Sequence, residues 1–392
     1  NEVPTNAQDP AFWQHLVNFT VGLGVDGTLS PDSDWADLQD GTTAWPRPNN
    51  DPAKIDDLWH AAVNSRGEFF SASDPETFAD SLSNILSHIA DRTSSASSLA
   101  LNTGSLSVNS KIFQARFDSG EWTGQLLAFP INATGTVGAQ AWDAANKIPA
   151  ANTRVIITHD GTIGQPFRWG SLSVAQQGLL GSQSVVDYLR GDQSNESSNV
   201  GGTFRNRTSL LGDIVHSSPI YVGAPSENYP DGLGSNIAAN NYSSFKTKHI
   251  LRDEMIYVGS NDGMMHGFDA DTGVEVFAYT PNAVMNNLAD LTDLNYNHKY
   301  YVDESPVVVD AFFGTPAAWH TVVVSGLRAG GQGIFALDIT DPTDFSSEAT
   351  AKNKVLWEFT DTDDNDLGYT FGTPSVVRLQ DGTWAAVFSG GY

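Results

Sequence analysis

The stretch His216-Ser217-Ser218-Pro219-Ile220-Tyr221-Val222 recurs as Asp303-Glu304-Ser305-Pro306-Val307-Val308-Val309 and again as Phe371-Gly372-Thr373-Pro374-Ser375-Val376-Val377. Each copy is a polar approach, a proline and an apolar run of β-formers. Proline is tolerated at the first position of a strand, where a missing N–H costs no ladder bond. Each copy is followed, after a variable insert, by a second run: Met255–Ser260, His320–Ser325 and Trp384–Ser389. Two copies continue into a third run that ends in an acidic turn, Met265–Gly273 and Gly333–Asp341. A fourth follows, Val274–Tyr279 and Val355–Phe359. The repeating unit is therefore four antiparallel strands. Four-stranded sheets repeated along a chain are the blades of a β-propeller. Gln114–Phe129 with Ala141-Trp142-Asp143 reads as the later strands of an earlier blade, and 371–392 as the first two strands of another. That makes three to four blades, too few to close a ring alone.

Upstream the pattern changes. Residues 17–25 read as a strand ending in a Gly turn, and a loop rich in Pro, Asp and Gly follows. Asp56 to Phe70 reads as a helix with Leu58, Trp59, Ala62 and Val63 on one face. Ser73-Asp74-Pro75-Glu76 opens a second helix to about Asp91. Ser94 to Ser98 is a Ser-rich joint. The expected organisation is a small α/β piece over 1–93 and an incomplete propeller over 94–392, the fold being mainly β. One further helix is expected from Ser173 to Leu189.

Composition narrows the function. The 392 residues include 46 Asp and Glu against 20 Lys and Arg, a net charge of −26. Such a chain is repelled by phosphate backbones and anionic membranes. The absence of cysteine removes disulfides, thiol catalysis and Cys-ligated metals. No apolar run is long enough to span a bilayer as a helix. The opening at Asn1 and the end at Tyr392, just after a strand-like run, read as the two cuts of a fragment.

Several runs, taken in order, carry a resemblance: FTVGLGVDGTL (19–29), DLWHAAVNSRGEFFSASDPETFADSL (57–82), GDIVHSSPIYVG (212–223), VVVSGLRAGGQGIFALDITDP (322–342) and DLGYTFGTPSVVRL (366–379). Together they resemble type IV pilus proteins of the PilY/PilC family. YVGSNDGMMHGFDADTGVEVFAYTP (257–281) alone resembles a blade of the quinoprotein-like propellers. The pilus resemblance implies the end of a von Willebrand A-like domain over 1–93 and the first part of a C-terminal propeller. It implies a non-enzymatic, extracellular adhesin and assembly factor at the pilus tip or outer-membrane surface, exported through the periplasm and opposing retraction. Its expected partners are the pilus tip with its minor pilins and a host or surface receptor. The alternatives are a periplasmic propeller scaffold for outer-membrane assembly and a fragment of a quinone-cofactor dehydrogenase. The family's D-x-S-x-S metal loop is absent here, and no stretch fits its propeller calcium loop, so no ligand carries over.

On chemistry alone the metal candidate is the run 361–366, with Asp361, Asp363, Asn365 and Asp366 as calcium ligands. Calcium takes six to eight oxygens, and alternate acidic positions of a loop can converge on one ion. Against it, the sixth position is Asp366 where such loops need Gly, and the twelfth is Gly372 where they need Glu. The competing reading is a solvated acidic turn. Asn261-Asp262-Gly263 and Asp269–Gly273 read as tight turns. Asp303-Glu304 reads as a cap or edge charge, and Arg190-Gly191-Asp192 as a helix end or a recognition tripeptide. The nine His fit no zinc motif, and His60, His88 and His216 read as capping or packed. The inserts 224–254 and 282–302 are expected to be displayed as binding loops.

Overall fold

Strands buried on both faces read as near-continuous apolar runs, whereas half-buried strands alternate. Met255–Ser260 is buried at all six positions, as is Gly333–Asp338. These strands must lie between two layers, and the architecture shows which. The computed structural model describes residues 16–23, 26–30, 33–67, 69–72, 98–101, 111–132, 136–233 and 238–391. The chain divides into two units, 1–95 and 96–392.

In the first unit, β1 (Thr20–Leu23) pairs in parallel with β2 (Phe69–Ala72). A parallel pair needs a crossover, and the helix Asp51–Asn64 lies between the two strands in sequence. Asn50 caps it by accepting from the Ala53 N–H at 3.0 Å. The helix starts five residues earlier than the periodicity predicts and stops at Asn64 rather than Phe70. Arg66 turns left-handed at φ 61°, Gly67 donates back to the Ala62 carbonyl, and Phe69 is then free to enter β2. Trp59 and Ala62 are buried as expected, but Leu58 is exposed. The helix expected from Ser73, and His88 within it, lie outside the described residues.

Among the described residues, the second unit holds three sheets and a hairpin. The first sheet runs in the order β3 (Ser98–Leu101), β4 (Lys111–Asp118), β5 (Thr123–Pro130), β6 (Trp142–Asp143), all antiparallel. The second contains β9 (Ile220–Val222), β10 (Met255–Ser260), β11 (Met264–Asp269) and β12 (Glu275–Thr280). It is widened at β12 by β7 (Ile156–His159), which pairs in parallel, and by β8 (Gly164–Pro166) at the edge. The third is β13 (Val307–Phe313), β14 (Ala318–Gly326), β15 (Gly333–Asp338) and β16 (Val355–Thr360). The hairpin is β17 (Ser375–Arg378) with β18 (Trp384–Val387). The fold is mainly β, a partial propeller of four-stranded antiparallel blades, and no ring closes among the described strands.

Alternation along each strand sends side chains to opposite neighbours. Ile256, Val258 and Phe268 pack with Phe113, Leu126 and Trp142 of the first sheet. The intervening Tyr257 faces the other way, into a cluster with Val323, Phe335 and Leu337 of the third sheet. The third sheet repeats the device: Val322, Val324, Ile334 and Ala336 pack toward Val376, Ala386 and Phe388 around the hairpin.

Three expectations change. The helix over Ser173–Leu189 is two helices, Val174–Leu180 and Gln183–Leu189, broken at Gly181 with φ 78°. The insert 282–302 is not displayed: a 3-10 segment, Asn282–Thr292, buries Val284, Met285, Leu288 and Leu291, and Tyr301 and Val302 are buried behind it. Its apolar spacing is core spacing. The insert 224–254 folds back over the third sheet. Tyr242 and Phe245, on its helix Tyr242–Lys248, join Trp319, and Tyr229 stacks on Trp319 at 5.3 Å.

Candidate functional site at the sheet junctions

The residues before each first strand do more than start it. The His216 backbone N–H donates to Asp303 Oδ1 at 3.2 Å, and its Nδ1 lies 2.6 Å from Asp303 Oδ2. The Ser218 N–H donates to Ser305 Oγ at 2.9 Å. One repeat further on, Thr373 Oγ1 donates to Glu304 Oε1 at 3.2 Å. The segments before the first strands of consecutive repeats are thus tied side chain to backbone and side chain to side chain. Asp303 and Glu304, expected as caps or edge charges, are almost fully buried. Burial pushes both carboxyls above their ordinary values, against the His216 contacts on Asp303 and the Ser305 N–H and Arg328 beside Glu304. Arg328 reaches Glu304 at 3.6 Å from a left-handed backbone, φ 56°. A non-glycine residue in that region stores strain that surrounding contacts must hold.

Beside this relay, Asp213 accepts from Asn261 Nδ2 and contacts His298 Nε2, each at 2.8 Å. His298 carries the Trp122 indole stacked on it, ring centres 3.7 Å apart. Tyr300 bridges the two histidines, with centroids 4.9 Å from His298 and 5.5 Å from His216. The result is a half-buried strip of aromatic and imidazole rings underlain by carboxylates. It is drawn from the β4–β5 turn, the β10–β11 turn and the segments leading into β9 and β13. Loops gathered on a rigid scaffold are where recognition usually resides.

A second charged group lies inside the second sheet. His266 on β11 contacts Glu275 of β12 at 2.8 Å and Asp262 of the β10–β11 turn at 3.1 Å. Arg154 clamps Glu275 with two bonds of 2.7 Å. Burial opposes the imidazolium, yet Asp262 and Glu275 outweigh it and hold His266 up to about 9. Burial also opposes the Glu275 charge, and Arg154 with His266 brings it down to about 2. All polar capacity here is spent internally, so this network holds the sheet together and offers nothing to a ligand.

The predicted calcium residues lie elsewhere, in the turn after β16. Positions 361–366 are all exposed. Asp363 accepts from the Thr360 N–H at 2.9 Å, and Asp364 accepts from the Asp366 N–H at 3.0 Å. Among the described residues no three His, Asp or Glu side chains converge as metal ligands do. Arg190 of the Arg-Gly-Asp tripeptide is buried, donates to the Phe167 and Arg154 carbonyls and pairs with Glu348 at 2.9 Å. Gly191 takes φ 108° at the helix end, so this tripeptide is a structural terminus. His60 stacks on Trp45. Sequence reading missed Trp122, Asp213, His298 and Arg328, which no local motif marks; the repeat itself was the only signal for Asp303.

Residues 211–392 match the model of the PilY1 beta-propeller domain. Through these residues the chain is similar to the PilY1 β-propeller family. Over 98% of its length it is 40% identical to a type IV pilus biogenesis factor PilY1 of Pseudomonas aeruginosa strain UCBPP-PA14, covering 35% of that protein. A PilY1 homolog of Xylella fastidiosa strain Temecula1 is 37% identical over 82% of the chain, which covers 25% of it. The chain thus spans about a third or less of these curated relatives. The crystal structure of the Pseudomonas aeruginosa PilY1 C-terminal domain is 45% identical over 44% of this chain and 31% of that one, with a TM-score of 0.34. Within the PilY1 propeller segment, the repeat tied by His216, Asp303, Glu304 and Thr373 lies entirely inside the matched residues. No helix among the described residues is long and apolar enough to cross a membrane.

Proposed function

We propose that this chain is the propeller-bearing part of a type IV pilus biogenesis factor. In this reading it is a non-enzymatic protein, exported through the periplasm to the pilus tip or outer-membrane surface. There it supports assembly against retraction and contributes to adhesion, meeting minor pilins on one side and a host or surface receptor on the other. The observation that carries the reading is the identity of about 40% along 98% of the chain to a protein named for pilus biogenesis. The architecture is compatible with a mechanical role: consecutive sheets are packed on both faces and tied at their first strands. Residues 1–93 are taken as the end of a von Willebrand A-like domain, a reading that the parallel β1–β2 pair supports.

The test is genetic. Deleting residues 211–392 from the intact gene should leave few surface pili, counted by electron microscopy. Piliation should return when the retraction motor is inactivated. Normal piliation with retraction active would overturn the assignment.

Calcium enters this proposal through the turn 361–366 alone. A melting temperature raised by excess calcium over chelator, and lost in Asp361→Ala/Asp363→Ala, would support it. A ligand at about 100 times its Kd stabilises by roughly 2.7 kcal/mol. Equal melting temperatures would remove calcium from the reading of this segment.

A further inference from the structure

The β4–β5 turn is pinned onto the second sheet. The Gly124 N–H donates to the Leu211 carbonyl at 2.9 Å, and Thr123 bridges Gly212. Gly212 in turn donates to Asp262 Oδ2 at 3.1 Å. Between these anchors lies a recess of about 30 Å³, lined by Trp122, Arg205, Asp213, Asn261, Asp262 and Tyr296 among others. That volume holds one or two water-sized groups. Trp122 sits at φ 52°, a left-handed conformation costly for a bulky residue. The strained turn places its indole at the rim, against His298. Arg205 lies over the Tyr296 ring at 4.3 Å, and its Nε is buried with no hydrogen-bond partner. The neighbouring Arg207 is spent on Glu196 at 2.9 Å. A buried donor without a partner is costly and calls for an acceptor.

We infer that this recess is a saccharide-binding site. One wall is acidic, from Asp213, and the other carries the Arg205 guanidinium. A ligand with net charge is repelled by one of them. A hydroxyl both donates and accepts, so it satisfies the two walls together. The recess admits a hydroxyl or hydroxymethyl arm and excludes a ring. A pyranose ring would remain at the rim, its C–H face on the side of the Trp122 indole opposite His298, which supplies apolar area at small entropic cost. The recess therefore takes the terminal residue of a glycan. This goes beyond the pilus reading and does not depend on it, since binding is measured without pili.

The experiment is saturation-transfer NMR on the intact protein, with the methyl glycosides of glucose, galactose, mannose and N-acetylglucosamine as probes. Glycerol and acetate serve as controls. At least one glycoside should show transfer at millimolar concentration, with glycerol silent. Arg205→Met and Trp122→Gly should each weaken it at least tenfold at unchanged melting temperature; glycine suits the left-handed position. Should either variant unfold, acetate competition on the unmodified protein decides: saccharide signal indifferent to acetate supports the site. No transfer from any glycoside, signals unchanged in both folded variants, or displacement by acetate would each overturn it, the last by making the recess an anion site.

Discussion

His266 shows how one side chain is committed by its surroundings. Its imidazolium is enclosed by Asp262 and Glu275, with Arg154 behind. Because its folded value is raised to about 9, the stabilisation it contributes is complete below its ordinary value near 6.5 and is lost as pH rises through 9. Glu275, lowered to about 2, contributes fully above its ordinary 4.5 and loses that contribution as pH falls through 2. Unfolding by urea should therefore show a plateau from about pH 5 to 6.5 and a decline between about pH 6.5 and 9, by roughly 3 kcal/mol in all for His266. A profile flat through pH 10 would refute the buried imidazolium. Glu275→Ala takes from Arg154 its two-bond partner and leaves His266 with Asp262 alone, and should cost about 3–5 kcal/mol. Gly273 is a turn residue, as the sequence suggests, at φ 75°. A Cβ there would also meet Trp142 Cδ2 at 2.6 Å. Gly273→Ala should lower stability by about 1–3 kcal/mol, measured the same way.

At the scale of elements, the insert 224–254 acts as a strap. Tyr242 donates to Asp310 at 2.5 Å, and the Trp319 indole N–H donates to the Asn240 carbonyl at 2.9 Å. Tyr229 meets both Trp319 and Trp384, so one insert touches the third sheet and the following hairpin. Trp319→Ala removes the centre of this cluster and should cost about 3–5 kcal/mol. Limited proteolysis should then cut within 226–233 before the sheets unfold. Cleavage no faster than in the unmodified protein would show that the strap is held by other contacts. The turn 361–366 has no such anchorage; its carboxylates close their own loop.

For the whole molecule, the net charge of −26 sets a self-repulsion that packing must overcome. Screening reaches about 10 Å at 0.1 M salt. The melting temperature should rise between about 0.01 and 0.15 M sodium chloride at neutral pH. A fall would mean that attractive pairs such as Arg168–Glu348 and Lys354–Asp344 outweigh the repulsion.

The blades were legible because their information is local. Val322 to Val324 and Ile334 to Leu337 are apolar without alternation, and that alone states burial on two faces. The recurring Ser/Thr-Pro marked each first strand, since a proline is well tolerated at a strand's start. Sequence also carried the acidic turns, where Asn, Asp and Gly supply the required backbone angles. It did not carry β7, which joins the second sheet in parallel from more than a hundred residues upstream of β12. It misplaced 282–302, because buried 3-10 spacing and a polar loop share the same Asn and Asp. Nor did it carry the junction. Trp122, the segment holding Arg205 and Asp213, and His298 are far apart along the chain and meet only where the β4–β5 turn packs against the segments that lead into β9 and β13. Composition and period determined the strands and the class of fold. Which polar groups were buried, paired or left facing a recess was decided by tertiary packing, because contact between distant residues has no period to betray it.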